Sequence, residues 1–311
     1  MLLDTAALYF RAFHGVPDTV RAPDGTSVNA VRGLLDIIAR LVTDFTPGGL
    51  IACWDDDWRP QWRVELIPSY KAHRVAELVE GGSDVELVPE LLTPQVPIIV
   101  ETLNALGIPI LGKPGYEADD IIGTLAATAT GPVDVVTGDR DLFQVVDDAR
   151  DVRVIYTARG MSNLEIVTDA VLRRKYGVAA VQYADFAALR GDSSDGLPGV
   201  AGVGEKTASA LLAQFGTLAG VVAAVADPTV PLSAGIRAKI AAAADYLTRA
   251  PAVVEVVSDL DLPAVDARIE IPDAGRGALD DLTVRWGLGG AASRVVAALQ
   301  SAQAKGAGSL Q

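Results

Sequence analysis

The sequence predicts an α/β fold: a central, mainly parallel sheet flanked by helices, followed by a second, mostly helical domain. Three observations carry the prediction. Over roughly the first half of the 311 residues, short β-type apolar runs alternate with segments of helical periodicity, the pattern of crossover-connected parallel strands. From about Asp169 the β signal fades and short helical segments follow one another. The length itself accommodates two domains with ample apolar residues for their cores.

Taken in order, Leu2–Leu3 is the first strand, and Asn29–Phe45 repeats apolar residues at helical spacing. Leu50–Trp54 is the second strand. Glu77–Val88 carries GGSD and several acids, so it reads as a mobile excursion outside the core. Pro89–Leu106 is a helix, Ile108–Leu111 a strand and Ala118–Ala129 a helix. Val133–Val136 and Val152–Tyr156 are strands, with a short helical turn after Asp141 between them. The second domain offers helices at Ala170–Tyr176, Val181–Leu189, Lys206–Phe215, Ile236–Tyr246 and Leu279–Trp286. The small and polar tail, 301–311, reads as disordered. The resulting domains are 1–168 and 169–300.

Composition narrows the class. One cysteine, Cys53, excludes an internal disulfide framework and fits a reducing, cytoplasmic setting. The longest apolar stretches fall short of a membrane span, and no basic stretch precedes the N-terminal apolar residues. The net charge of −14 argues against a nucleic-acid partner when taken as a sum. Locally the balance reverses. Arg59, Arg63, Lys71, His73 and Arg74 interleave with Trp58, Trp62 and Tyr70 against the single acid Glu65. Such a patch suits stacked bases and phosphates, although a solvated face with snorkelling side chains is the commoner outcome.

The acids are the sharper signal. In open parallel sheets, functional side chains gather beyond the carboxyl ends of the strands. Asp4 follows the first strand, Asp55 the second, and Asp139 and Asp141 the fourth, while GYEADD, with Glu117, Asp119 and Asp120, follows the third by a short loop. Each acid alone is readily a loop residue or a helix cap; together they predict one crevice. Like charges so close either raise each other's pKa or require cations, and an all-carboxylate set selects hard ions, Mg²⁺ or Mn²⁺. Two such ions about 4 Å apart activate water and stabilise the leaving oxygen of a phosphodiester. At about 100° per residue, Glu117 and Asp120 share a helix face and Asp119 turns away from it. Farther on, LRGDSSDGLPGVAGVGEKTA places Asp192 and Asp195 upstream of a tight Gly202–Gly204 turn that opens a helix. With Lys206, that turn suits a phosphate backbone read without regard to base.

Assembled, these pieces closely resemble the bacterial 5′-3′ exonuclease and flap endonuclease family, which also occurs as the N-terminal nuclease domain of DNA polymerase I. The resemblance rests on DTAALYFRAFHG, WDDDWRPQWRVELIPSYKAHR, GYEADD, TGDRDLFQVV and LRGDSSDGLPGVAGVGEKTA, in the family's order. It implies a PIN-like domain with a helical clamp or arch over the site, at about 63–100, and then a helix-three-turn-helix, SAM-like domain gripping duplex DNA. It implies that Asp4, Asp55, Glu117, Asp119 and Asp139 surround a first metal, with Asp120 and Asp141 shared or nearby, and that Asp192 and Asp195 complete a second. Lys71 and Arg74 match the basic pair facing the scissile phosphate, Tyr70 an aromatic that stacks on a base, and Arg63 a phosphate contact. Gly202, Gly204 and Lys206 match the duplex-binding turn, whose carbonyls hold K⁺. The implied partners are 5′ flaps, overhangs and nicks in DNA, and functionally DNA polymerase I and ligase, for a monomeric enzyme.

The sequence departs from the family's pattern in places. Only Met1, Leu2 and Leu3 precede Asp4; Asp55-Asp56-Asp57 leaves the ligand open between Asp55 and Asp56; Gly196 and Ala201 stand where relatives carry Asn and Pro. Two rivals remain at this level: a junction-binding protein whose carboxylates hold a structural cation, and a PIN-type ribonuclease.

Overall fold

The computed structural model of the chain describes residues 1–79 and 82–308. It begins with β1 (Leu2–Asp4), α1 (Thr5–Gly15), α2 (Asn29–Phe45) and β2 (Ile51–Cys53). Then come α3 (Gln61–Leu66), a hairpin of β3 (Val75–Glu77) and β4 (Val85–Glu86), and α4 (Gln95–Ala105). β5 (Ile110–Leu111), α5 (Ala118–Thr128), β6 (Val133–Thr137), β7 (Val152–Tyr156) and β8 (Glu165–Val167) complete the sheet-forming half. The helical half contains α6 (Asp169–Tyr176), α7 (Tyr183–Arg190), α8 (Glu205–Phe215), α9 (Leu218–Ala226), α10 (Ala234–Ala242) and α11 (Ala244–Val254), and the chain closes with α12 (Asp273–Trp286) and α13 (Gly289–Gly308).

The main sheet has the order β5-β2-β1-β6-β7-β8, parallel except for the antiparallel β7–β8 pair at one edge. Its strands are short apolar runs because both faces are covered. Successive residues alternate between two cores. Leu2, Ile51, Cys53, Val135 and Val154 pack with α5, α7, α8 and α11 on one face. Leu3, Ala52, Val136 and Ile155 pack with α2, α4 and α13 on the other. In α2, Val31, Leu34, Leu35, Ile38, Leu41 and Val42 recur at helical spacing and are buried, and Gly33, Ile37 and Ala39 are buried as well, so this helix is packed on several sides, against α1, α4 and α13. Because β1, β2 and β6 run parallel, their carboxyl ends open onto one edge.

Several expectations change. The segment after Val254 does not stay with the helical domain. Leu50 N donates to Ala267 O at 2.8 Å, and α12 and α13 then join α4 and α2 on the far face of the sheet. Residues 273–302 are therefore part of the sheet's own packing. In the tail, α13 continues through 308, with Ala298, Leu299 and Ala302 buried at helical spacing, while 309–311 lie outside the described residues. Among the described residues of the clamp between α3 and α4, the only helical piece is a short 3-10 turn at Ala72–Arg74. Among the described residues of the Glu77–Val88 excursion, Val85 and Glu86 pair with Val75 and Glu77 as an exposed two-stranded ladder, and Asp84 is anchored by a buried ion pair to Arg59. By residue 95 the chain is already core, Gln95 being fully buried. The single helix expected at Ile236–Tyr246 is two, α10 and α11, and α1 follows β1 with no intervening loop. Among the described residues no single helix is long and apolar enough to cross a membrane.

Candidate active site

Three strand ends and one helix mouth deliver acids to the open edge. Asp4 ends β1 and caps α1: its Oδ1 accepts from Ala7 N at 3.2 Å and its Oδ2 from the Thr137 hydroxyl at 2.6 Å. Asp55 lies two residues beyond β2, and its Oδ1 accepts from Ala118 N, the first amide of α5, at 2.8 Å. Asp56 is exposed and lies against Gly112, so Asp55 is the acid that faces the crevice. Asp139 follows β6, its own amide held by the Thr137 hydroxyl at 2.8 Å and its Oδ1 accepting from Asp141 N at 2.9 Å. Asp119 projects from the first turn of α5. The loop after α7 brings Asp192 and Asp195 close enough to Asp139 and Asp141 for their charges to interact.

These acids divide into two layers with opposite electrostatics. In the outer layer, carboxylates face carboxylates. Burial pushes Asp4 up to about 7, with Asp55 and Asp139 adding to it and the Thr137 hydroxyl opposing. Burial likewise raises Asp119 well above the usual range, reinforced by Asp4 and Asp139. Asp141 is raised well above it by burial and then by Asp139, Asp195 and Asp192. Burial also lifts Asp55 and Asp195, the latter against the pull of Lys71. Asp141 Oδ1 is buried with no hydrogen-bond partner. A cluster of buried and half-buried carboxylates that repel one another, with one oxygen orphaned, fits a bound cation. The donor set is all carboxylate, which fits a hard divalent ion. Among the described residues no three of these acids already stand together at direct-ligation distances.

The inner layer is paired. Glu117 Oε2 accepts from Arg63 and, at 2.6 Å, from the Tyr70 hydroxyl, while its Oε1 accepts from Lys71 Nζ. Asp120, fully buried, takes two bonds from Arg63 at 2.7 and 2.9 Å, one from Val257 N at 2.9 Å and one from its own helix's Glu117 N at 3.2 Å. The shared face predicted for Glu117 and Asp120 exists, but it turns toward Arg63 and the interior; Asp119 is the acid of this motif that looks into the crevice. Arg63, 2 % exposed, also donates to Val253 O at 3.1 Å and sits 4.5 Å over the Trp62 ring. It is not placed to touch a phosphate, nor is Tyr70, 4 % exposed, placed to stack on a base. The basic and aromatic stretch 58–74 is thus largely an internal network, because the acids of α5 and Asp84 consume its cations. Arg74 is the more open member, donating to Ser194 O at 2.8 Å and Asp195 Oδ1 at 3.2 Å.

Lys71 adopts a left-handed backbone, φ +48, uncommon for a residue with a side chain. Its amide is held by Asp195 O at 2.9 Å, which fixes the strained turn and points Nζ at Glu117. Gly196 makes that approach possible: a Cβ there would lie 2.1 Å from Ser69 O. Asp192 differs from its neighbours. Burial would raise it, but the Ser194 hydroxyl and amide, with Arg190 at 2.9 Å, outweigh burial and hold it below the usual range. Thr137 and Arg190, which fix Asp4, Asp139 and Asp192, escaped the sequence reading; the only signals were a threonine at the end of an apolar strand and an arginine inside LRGD. Beyond the loop, Gly202 (φ +73) turns the chain and Gly204 caps α8, which has Lys206, exposed, in its first turn.

The comparisons with known proteins bear on this arrangement. A model of the 5′-3′ exonuclease N-terminal resolvase-like domain matches residues 1–177, and one of the 5′-3′ exonuclease C-terminal SAM fold matches 178–274. The chain belongs to the 5′-3′ exonuclease family. A 5′-3′ exonuclease of Streptomyces coelicolor is 60% identical over 299 residues, covering 96% of this chain and 99% of the relative. One of Mycobacterium tuberculosis is 47% identical over 310 residues, covering 97% and 98%. The DNA polymerase I of Mycobacterium bovis is 42% identical over 226 residues, 71% of this chain and 24% of the polymerase. The fold is that of the T5 5′-exonuclease solved with divalent metal ions (zinc), at TM-score 0.62, 17% identity and coverage of 92% of this chain and 98% of that one. It is also that of the bacteriophage T5 D15 flap endonuclease in a pseudo-enzyme-product complex with DNA and metal ions, at TM-score 0.60 and 16% identity, covering 96% and 98%.

Proposed function

We propose that this member of the exonuclease family is a divalent-metal-dependent, structure-specific 5′-3′ exonuclease and 5′-flap endonuclease. It hydrolyses DNA phosphodiesters to 5′-phosphate and 3′-hydroxyl ends, on the flaps and nicks of replication and repair. The observation that carries the reading is the outer layer of buried and half-buried, mutually repelling carboxylates, with its orphaned Asp141 Oδ1, at the open edge of the sheet.

In this reading Asp4, Asp55, Asp119, Asp139 and Asp141, with Asp192 and Asp195, hold Mg²⁺ or Mn²⁺, many of the contacts through water. Bound there, the ions supply Lewis-acid charge and the acidity that turns water into a nucleophile. Glu117 and Asp120 act one layer behind, fixing Lys71 and Arg63. Lys71 stands at the border of the two layers as a set charge beside the scissile phosphate, and Arg74 is the freer cation next to it. The hairpin at Gly202, with Lys206, grips the duplex backbone.

Asp139→Asn should lower single-turnover cleavage of a 5′-flap DNA by two to three orders of magnitude or more, the scale seen when a key electrostatic group is removed, while flap binding stays within a few-fold. Undiminished turnover with Mg²⁺ would sink the site. A 5′-flap DNA, the matching RNA flap and plain single strands, each with Mg²⁺ and then EDTA, discriminate the rivals: preference for the RNA flap marks a ribonuclease, and binding without any cleavage a junction-binding protein.

A further inference from the structure

Family resemblance predicts a K⁺ ion on the carbonyls of the glycine hairpin, but in this chain the central Gly202 carbonyl is already held by a cationic side chain. Val200 O accepts from Val203 N at 2.9 Å, which takes up one of its two lone pairs. Gly202 O accepts from Lys239 Nζ, which reaches across from α10, at 2.8 Å. The lysine stem is seated against the turn: a Cβ at 202 would lie 2.8 Å from Nζ and 3.1 Å from Cε. A potassium ion bound by carbonyls needs several free oxygens around it. Here an ion on Gly202 O would share that oxygen with an ammonium and be repelled by it at contact distance.

We propose that the Lys239 ammonium is the cation of this hairpin: it stands on the Gly202 carbonyl where a monovalent ion would stand, and duplex binding by this chain needs no K⁺. The proposal rests on the reading of the hairpin as a duplex grip. An ammonium has three donors and the Gly202 carbonyl takes one, so two are left for a phosphate at the mouth of α8. Lys239 is exposed, as is Lys206 in the first turn of α8, so the two flank that mouth with positive charge. Glu205, the acid beside them, is drawn aside by Arg190 at 3.6 Å and Arg140 at 4.0 Å. The favourable placing of a lysine near the end of α10 accounts for its charge. It does not account for the bond to a glycine 37 residues away on another element.

The test uses the full chain and a 5′-flap duplex in EDTA, followed by fluorescence anisotropy in K⁺ or Li⁺ salts at matched ionic strength. Wild-type affinity is expected to agree within about two-fold between the two salts, since charge count and not ion identity sets the salt dependence. Lys239→Met, which keeps the stem and removes the charge, is expected to weaken binding about five- to ten-fold and reduce the slope of log K against log salt by about one. An unchanged thermal melt establishes that the variant folds. Wild-type binding several-fold tighter in K⁺ than in Li⁺ overturns the proposal, as does an unaltered affinity and slope in Lys239→Met. If the wild type fails to bind duplex at all, the reading of the hairpin falls. Titration of the DNA-free protein with thallium(I), a potassium surrogate observed by NMR, still decides the occupant: saturable binding competed by K⁺ excludes the ammonium, and its absence supports it.

Discussion

At the scale of single residues, Thr137 does more than its place in VVTGDRD suggests. Fully buried, its hydroxyl donates to Asp4 Oδ2 at 2.6 Å and accepts from Asp139 N at 2.8 Å, so one oxygen sets two acids on neighbouring strands. Thr137→Val keeps the volume and removes both bonds. It should cost about 1–3 kcal/mol in urea unfolding, the price of an unsatisfied buried group, and slow cleavage about ten-fold with substrate affinity unchanged. Wild-type kinetics in this variant would mean that Asp4 and Asp139 are fixed by something else. Asp4, Asp55 and Asp139 were legible in the sequence because parallel strands end on one edge, whatever the side chains do. That the shared face of Glu117 and Asp120 turns to an interior cation was not legible, because helical periodicity gives an angle around an axis and says nothing about which neighbour occupies it. Here the neighbour is Arg63, 57 residues before Asp120 in the chain.

At the scale of elements, α5 illustrates how one helix mouth serves two tasks. Asp119 faces the crevice, while Glu117 and Asp120 bind the guanidinium that α3 inserts between α5 and the end of α11, where it meets Val253 O and Glu255 O. Arg63 therefore ties the sheet-bearing half to the helical half that carries the glycine hairpin. Removing one partner of a buried ion pair strands the others, so Arg63→Leu should destabilise the protein by about 3–5 kcal/mol. Denaturant unfolding reads this directly; a loss of DNA affinity with stability unchanged would return Arg63 to the role of a phosphate contact. Elements with strong periodicity or a clean apolar run, such as α2 and β7, were visible in the sequence. α1 was not, because Asp4 is at once the end of β1 and the cap of the helix, which leaves no loop to mark the change. The β3–β4 hairpin was hidden because its strands are very short and exposed, without the alternating burial that betrays a strand.

At the scale of the whole molecule, the fold holds a repulsive carboxylate cluster that the sheet, α5 and the helical domain jointly bury, and α12 and α13 close the opposite face of the same sheet. Folding without metal therefore works against the ionisation of Asp4, Asp55, Asp119, Asp141 and Asp195, all raised first by burial. The sign follows from linkage. A carboxylate raised in the folded state binds a proton there that the unfolded chain has already released, so stability is greatest below the unfolded value near 4 and falls as pH rises through the folded one. For Asp4 that window runs from about 4 to about 7. Asp192, held low by Ser194 and Arg190, has the opposite sign, but its effect lies in the acid range below this window. In EDTA, the melting temperature should drop by on the order of 5 °C between pH 6 and pH 8, a shift of a few kcal/mol for a chain of this size. Saturating Mg²⁺ or Mn²⁺ replaces those protons, so the metal-induced rise should be larger at pH 8 than at pH 6. Calorimetry at the two pH values, with and without metal, measures both. A metal-free protein more stable at pH 8, or a metal effect indifferent to pH, would show that the carboxylates are not in conflict and are not built to hold cations.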